Sequence, residues 1–143
     1  MYSKEETQRL KREFWTAFAE RYPRKWLLYD TKIKDLSLKF HVDNKKAMVL
    51  LDVESRDDEK RAAYFGKLQS LQSLLESDFG DDFIFEEDHY LENGKAISRI
   101  STTRNGLSLS RREDWEAIFS FFADRMNALE TFFLEYADYI RDI

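Results

Sequence analysis

The chain has 143 residues, 43% hydrophobic and 36% charged, with four Gly, one Pro and no Cys. Such a composition describes a single folded, soluble domain spanning 1–143, and it excludes a disordered tail, a disulfide framework, a thiolate metal site and a cysteine nucleophile. No apolar run approaches the ~20 residues of a membrane span, and the opening MYSKEETQRLKREF has no signal-peptide core, so a cytoplasmic chain with no membrane partner is expected. Aromatic residues reach 15%, including 12 Phe, enough for a substantial core. The net charge of −5 is unevenly spread. Residues 1–56 carry 13 Lys and Arg against 9 Asp and Glu, whereas residues 57–143 carry 10 against 19.

Ser3 and Glu6 form a capping box, from which Leu10, Phe14, Ala17, Phe18 and Tyr22 recur at helical spacing until Pro23. WLLYD, 26–30, reads as a short strand. LSLKFHV, 36–42, alternates with Leu36, Leu38, Phe40 and Val42 on one face. AMVLLDVES, 47–55, places Ala47, Val49, Leu51 and Val53 likewise. The intervening turn pairs 42 with 47, 40 with 49, 38 with 51 and 36 with 53. A slip of one residue would turn the apolar set to water.

A second helix is predicted over about 57–79, capped by Ser55 or Asp58, with a stripe of Ala62, Phe65, Leu68, Leu71, Leu75 and Phe79. Gly80 stops it. Residues 82–102 read as a hairpin about a two-residue Asn93-Gly94 turn, setting Tyr90 opposite Ile97 and Asp88 opposite Arg99. A capping box at Ser110 and Glu113 then opens a helix striped by Trp115, Ile118, Phe119, Phe122, Met126, Leu129, Phe133, Tyr136 and Ile140. Unbroken to Asp142, that helix would be about 48 Å long at 1.5 Å per residue. The predicted order is α-βββ-α-ββ-α, an α+β fold with a mainly antiparallel sheet.

The segments KREFWTAF, IKDLSLKFHVDNKKAMVLLDVESRD, AISRI and DWEAIFSFFADRMNALETFF together resemble the bacterial family known as domain of unknown function 4268. The resemblance covers nearly the whole chain. It implies an α+β fold and a cytoplasmic bacterial or archaeal setting, sometimes beside nuclease-like domains in longer proteins. It implies no activity and no functional residues.

The first hairpin brings Asp35 beside Glu54, and Ser37 beside Asp52, with Lys39 on the same face. Converging carboxylates at a strand end are how a hard cation such as Mg2+ is held. An acid on one strand and acid-x-Lys on the next is similar to the PD-(D/E)xK nuclease fold. On that reading Asp35, Asp52 and Glu54 are metal ligands and Lys39 is the catalytic, water-positioning residue. The sequence departs from the pattern at Arg56, which stands where the Lys is expected and stays protonated. His41 and His89 lack a neighbouring His or Cys for a zinc site. No P-loop, dinucleotide or nucleophile-elbow motif occurs.

Phe121, Phe132, Leu134 and Tyr139 fall off the stripe of the last helix and suit an interface. The preferred reading is therefore a non-enzymatic association module with no cofactor, acting as a homodimer or with a protein partner. The alternative is a divergent or degenerate metal-dependent nuclease-like domain. Nucleic-acid binding through Arg21, Arg24, Lys25, Lys32 and Lys34 is a third reading, which the overall negative charge disfavours.

Overall fold

The computed structural model describes residues 3–143. Ser3 caps helix α1 (Lys4–Arg21), its hydroxyl accepting from the Glu6 N–H at 3.1 Å. Strands β1 (Leu36–Val42) and β2 (Lys46–Val53) form the first hairpin. Helices α2 (Asp58–Ser70) and α3 (Gln72–Phe79) follow, then the hairpin β3 (Ile84–Tyr90) and β4 (Ala96–Asn105). A 3-10 turn at Arg112–Asp114 leads into α4 (Trp115–Arg141). The order is thus α-ββ-α-α-ββ-α, and the four strands form one antiparallel sheet in the order β1-β2-β4-β3.

The first hairpin has the register its alternation dictates, Leu36 opposite Val53 through to Val42 opposite Ala47. Its turn is held by Asp43, whose carboxylate accepts from the backbone N–H of Lys45 at 2.7 Å and Lys46 at 2.9 Å and meets His41 Nε2 at 2.9 Å. Burial alone would raise the Asp43 pKa. The bonds from His41, Lys45 and Lys46 outweigh it and hold this carboxyl well below the usual carboxylate range.

Four segments depart from expectation. Residues 26–30 form no strand, because Leu28 takes the left-handed φ of 45° and the chain turns, Asp30 N–H bonding to Leu27 O at 2.9 Å. The second helix breaks at Leu71, whose N–H bonds three residues back to Leu68 O. The cap is Asp57 rather than Ser55 or Asp58, and Arg61 and Tyr64 are buried in place of Ala62. In the second hairpin, Gly94 sits at φ 84° and Leu91 N–H bonds to Lys95 O, so the loop holds three residues rather than two. Tyr90 therefore faces Ala96 and His89 faces Ile97. A bulge at Glu87 and Asp88 sets Glu86, not Asp88, opposite Arg99. At the start of α4, Ser110 is engaged by Ser108, their hydroxyls 2.8 Å apart, so no capping box forms. The helix starts at Trp115 and its 27 residues span about 40 Å.

All four helices send buried side chains into one cluster with Leu36, Leu38, Val49, Leu51, Val53 and Ile100, which occupy one face of the sheet. Phe122 lies at its centre. Its ring centroid is 4.8 Å from that of Phe40, 5.6 Å from Phe18 and 5.8 Å from the stacked Trp15. Such pairs contribute about 0.5–1.5 kcal/mol each beyond their burial.

Two outcomes are expected in urea unfolding. Phe122→Ala costs about 3–5 kcal/mol, whereas Leu134→Ala, at an exposed position, stays within about 0.5 kcal/mol of the parent. For Asp43 the folded-state pKa lies below the unfolded one, so its contribution is full above about pH 4 and is lost as pH falls through the folded value. Asp43→Asn thus costs about 1 kcal/mol at neutral pH, and the gap to the parent chain closes in acid.

Candidate functional site

The sheet's other face carries the alternate residues: Ser37, Lys39 and His41 on β1, Leu50 and Asp52 on β2, Arg99 and Ser101 on β4 and Glu86 on β3. At its centre Asp52 is fully buried, 0% exposed. Both of its oxygens are taken by the Arg99 guanidinium, Nε to Oδ1 at 2.7 Å and Nη2 to Oδ2 at 3.0 Å, a two-pronged charge-assisted contact. Lys39 Nζ lies 3.3 Å from Asp52 Oδ2 and 3.1 Å from Glu54 Oε2. Arg99 Nη1 also donates to His89 Nε2 at 3.0 Å, which places the imidazole proton on Nδ1, facing Glu86 Oε2 at 3.2 Å. The network therefore crosses all four strands.

Hydrogen bonding to Asp52 raises the Arg99 pKa against the opposing effect of burial. Burial pulls Lys39 down, but the Asp52 charge and the bond to Glu54 outweigh it, so its pKa is also raised. Lys39 is thus held as a cation, the wrong form for a base.

Asp52, Glu54 and Lys39 do come together here. Asp35 is exposed at a left-handed φ of 66°, and its carbonyl accepts the Glu54 N–H at 2.7 Å. The donor set does not fit a hard cation. Asp52 and Glu54 already face two positive side chains, and no group of three His, Cys, Asp or Glu able to hold a metal occurs among the described residues. Ser37 Oγ, across from Asp52, is buried without a partner among the described residues, but a lone neutral hydroxyl does not supply the missing anionic oxygen. Arg56 is exposed.

A second feature lies where β1 forms the sheet edge. A cleft of about 400 Å³ opens there, walled by Trp15, Phe18 and Ala19 of α1, Phe40 of β1, and Trp26 and Leu28 of the α1–β1 connection. Its charged lining is cationic, Arg24 and Lys39, with no carboxylate. Trp26 stacks on Phe18 at 5.8 Å and meets Phe40 edge-on at 5.4 Å. The Arg24 guanidinium lies over the Trp26 ring at 3.9 Å.

Glu130 of α4 pins this wall. It is 5% exposed, accepts the Leu27 N–H at 2.6 Å and pairs with Arg24. The sequence pattern gave no role to Glu130 and set Arg99 opposite Asp88 rather than Asp52. The signal for Glu130 was present: an acid four residues after Met126 and three before Phe133, inside the apolar stripe.

The residues singled out on α4 have separate fates. Phe132 is buried by the chain itself and Phe121 half-buried against Phe122. Leu134 is exposed and borders a recess formed with Arg24–Leu27 and Asp30. Tyr139 is exposed and leans on α2, its hydroxyl 2.8 Å from Ser70 Oγ and its ring 4.0 Å from Lys67 Nζ. Of the basic residues, Arg21 pairs with Glu116, Arg24 with Glu130 and Lys32 with Asp30.

The sign of one substitution separates a neutralised ion network from a carboxylate cage. Asp52→Asn takes the counter-charge from the partly buried Arg99 and should destabilise the chain by about 3 kcal/mol in urea. Lys39→Met, with Arg99 still on Asp52, should cost about 1 kcal/mol. A cage of like charges would respond to Asp52→Asn with a gain in stability, because repulsion is relieved.

No helix among the described residues is long and apolar enough to cross a membrane. No curated protein and no solved structure matches the chain. A family model described as a domain of unknown function, DUF4268, matches residues 10–137. The domain built around this one-sided sheet therefore belongs to the DUF4268 family.

Proposed function

We propose that the chain is a non-enzymatic association module that binds a partner polypeptide in the aromatic cleft beside β1. The cleft is the observation that carries this reading. Its volume of about 400 Å³ lies in the range of binding pockets, about 300–1,000 Å³. It combines large aromatic surfaces with a few polar groups, the composition of contact hot spots. Trp15, at 37% exposed, and Tyr29, at 73%, leave apolar area at its mouth. The Asp52 and Glu54 pair supports hydrolysis less well, because Lys39 and Arg99 already neutralise it, and Asp35 enters only through its carbonyl.

The test is selection of short displayed random peptides against the full chain, followed by affinity measurement on the synthetic winners. Ala19 is exposed and lines the cleft, so Ala19→Trp fills the space without touching the core. Binding is expected to fall at least about tenfold in Ala19→Trp and to stay unchanged in Leu134→Ala. Enrichment of no peptide, or binding indifferent to Ala19→Trp, overturns the proposal.

A further inference from the structure

We infer that the cleft takes an extended, acid-bearing segment of another protein as a fifth strand on the free edge of β1. The inference rests on the association reading above and specifies its occupant.

The backbone directions carry it. Leu36 N–H bonds to Ile33 O at 3.2 Å and Leu38 N–H to Leu28 O at 3.0 Å, so these groups point away from β2. The Thr31 hydroxyl donates to Leu36 O at 2.7 Å. The connection between α1 and β1 thus begins to pair with the edge and stops at Leu38. By the two-residue period of a strand, Leu38 O and both backbone groups of Phe40 point the same way. None of these three groups has a hydrogen-bond partner among the described residues outside the sheet. Leu38 and Phe40 also line the cleft, so the open row of backbone groups borders its apolar wall.

The pairing stops for a local reason. Leu28 at φ 45° turns the connection away from the edge, a conformation unfavourable for a leucine and retained only where its surroundings enforce it. Glu130 supplies that enforcement through Leu27 N–H.

The charge of the occupant follows from the lining. Arg24 and Lys39 are its only charged residues. Glu130 and the Lys25 carbonyl engage Arg24 through Nε and Nη2, leaving Nη1 without a described partner. Lys39 uses its ammonium on Asp52 and Glu54, leaving one N–H. In an added strand, the residues beside an apolar or aromatic side chain seated against Trp15, Trp26 and Phe40 turn to the sheet's other face, where Lys39 stands, while Arg24 lies over Trp26 on the apolar side, and both donors suit carboxylates. Strand addition uses the same division of labour, with main-chain bonds for affinity and alternate side chains for selection.

A second copy of the chain suits the edge poorly. Its own β1 would bring Lys39 and Arg24 against their equals. Its acidic β3 edge carries the bulge at Glu87 and Asp88, a device that hinders edge pairing.

The experiment uses the peptides selected against the full chain. They should carry Asp or Glu around one aromatic or large aliphatic residue, and binding should weaken as salt is raised. Amide exchange at Phe40 should slow in the complex. N-methylation at alternate peptide positions should weaken binding at least about tenfold for one parity and leave the other within about twofold. Peptides that bind the cleft but tolerate both N-methyl series, or that are basic, overturn the strand model while leaving the association reading intact. Slowed Phe40 exchange in a dimer of the chain alone, seen by sedimentation, assigns the edge to a second copy and overturns it too. If no peptide binds the cleft, both fall together.

Discussion

A four-stranded sheet with its helices gathered on one side must settle its other side with its own side chains. In this domain the covered face is apolar and closes around Phe122. The other face holds a fully buried carboxylate, Asp52, and satisfies it with Arg99 and Lys39. An unpaired charge at that depth would cost several kcal/mol, so the network follows from the layout. The same residues that invite a catalytic reading are those that let the sheet stay one-sided.

The second dependence runs from α4 to the sheet edge. Glu130 reaches from the helix to the backbone of Leu27, and Arg24 closes over Trp26. The wall of the cleft is therefore set by a carboxylate on the far element, not by the connection's own propensity. Leu28, Lys32 and Asp35 all have positive φ, which for non-glycine residues is unfavourable. A connection with three such residues keeps its shape because Glu130, Thr31 and the β1 edge hold it.

Legibility in the sequence followed the reach of the signal. The register of the first hairpin was readable to the residue because both strands alternate and any slip exposes apolar side chains, although β2 runs Lys46–Val53 rather than 47–55. The second was misread because Asn93-Gly94 fits a two-residue turn as well as the three-residue loop that forms, and no alternation penalised the difference. Together with the bulge, that step set Glu86 rather than Asp88 opposite Arg99, and Asp88 meets Arg61 instead, at 3.0 Å. Residues 26–30 looked like a strand because periodicity carries no information on φ. The apolar stripe of α4 was plain, but its N-terminus was not: the Asp114 carboxylate accepts the Ser108 N–H at 2.9 Å, a contact no capping pattern encodes. Of the candidate site, the carboxylates were visible and their neutralisation was not. The cleft was invisible because it is formed by three elements that meet only in the fold.

The bulge in β3 has a further consequence. Residues three apart on a regular strand face opposite sides of a sheet. Glu86 and His89 nonetheless meet on the side of Arg99, because Glu87 and Asp88 together stand opposite one residue of β4. The extra residue restores phase, much as a leap day realigns a calendar. What is constrained at 87–88 is thus chain length as well as identity. Glu87 itself contributes mainly its carbonyl, which accepts from Arg61 and Ser98, and many side chains could stand there. Deleting one residue would turn either Glu86 or His89 to the opposite face. Relatives that share this sheet can therefore differ in spelling at 87 but should align across it without a gap.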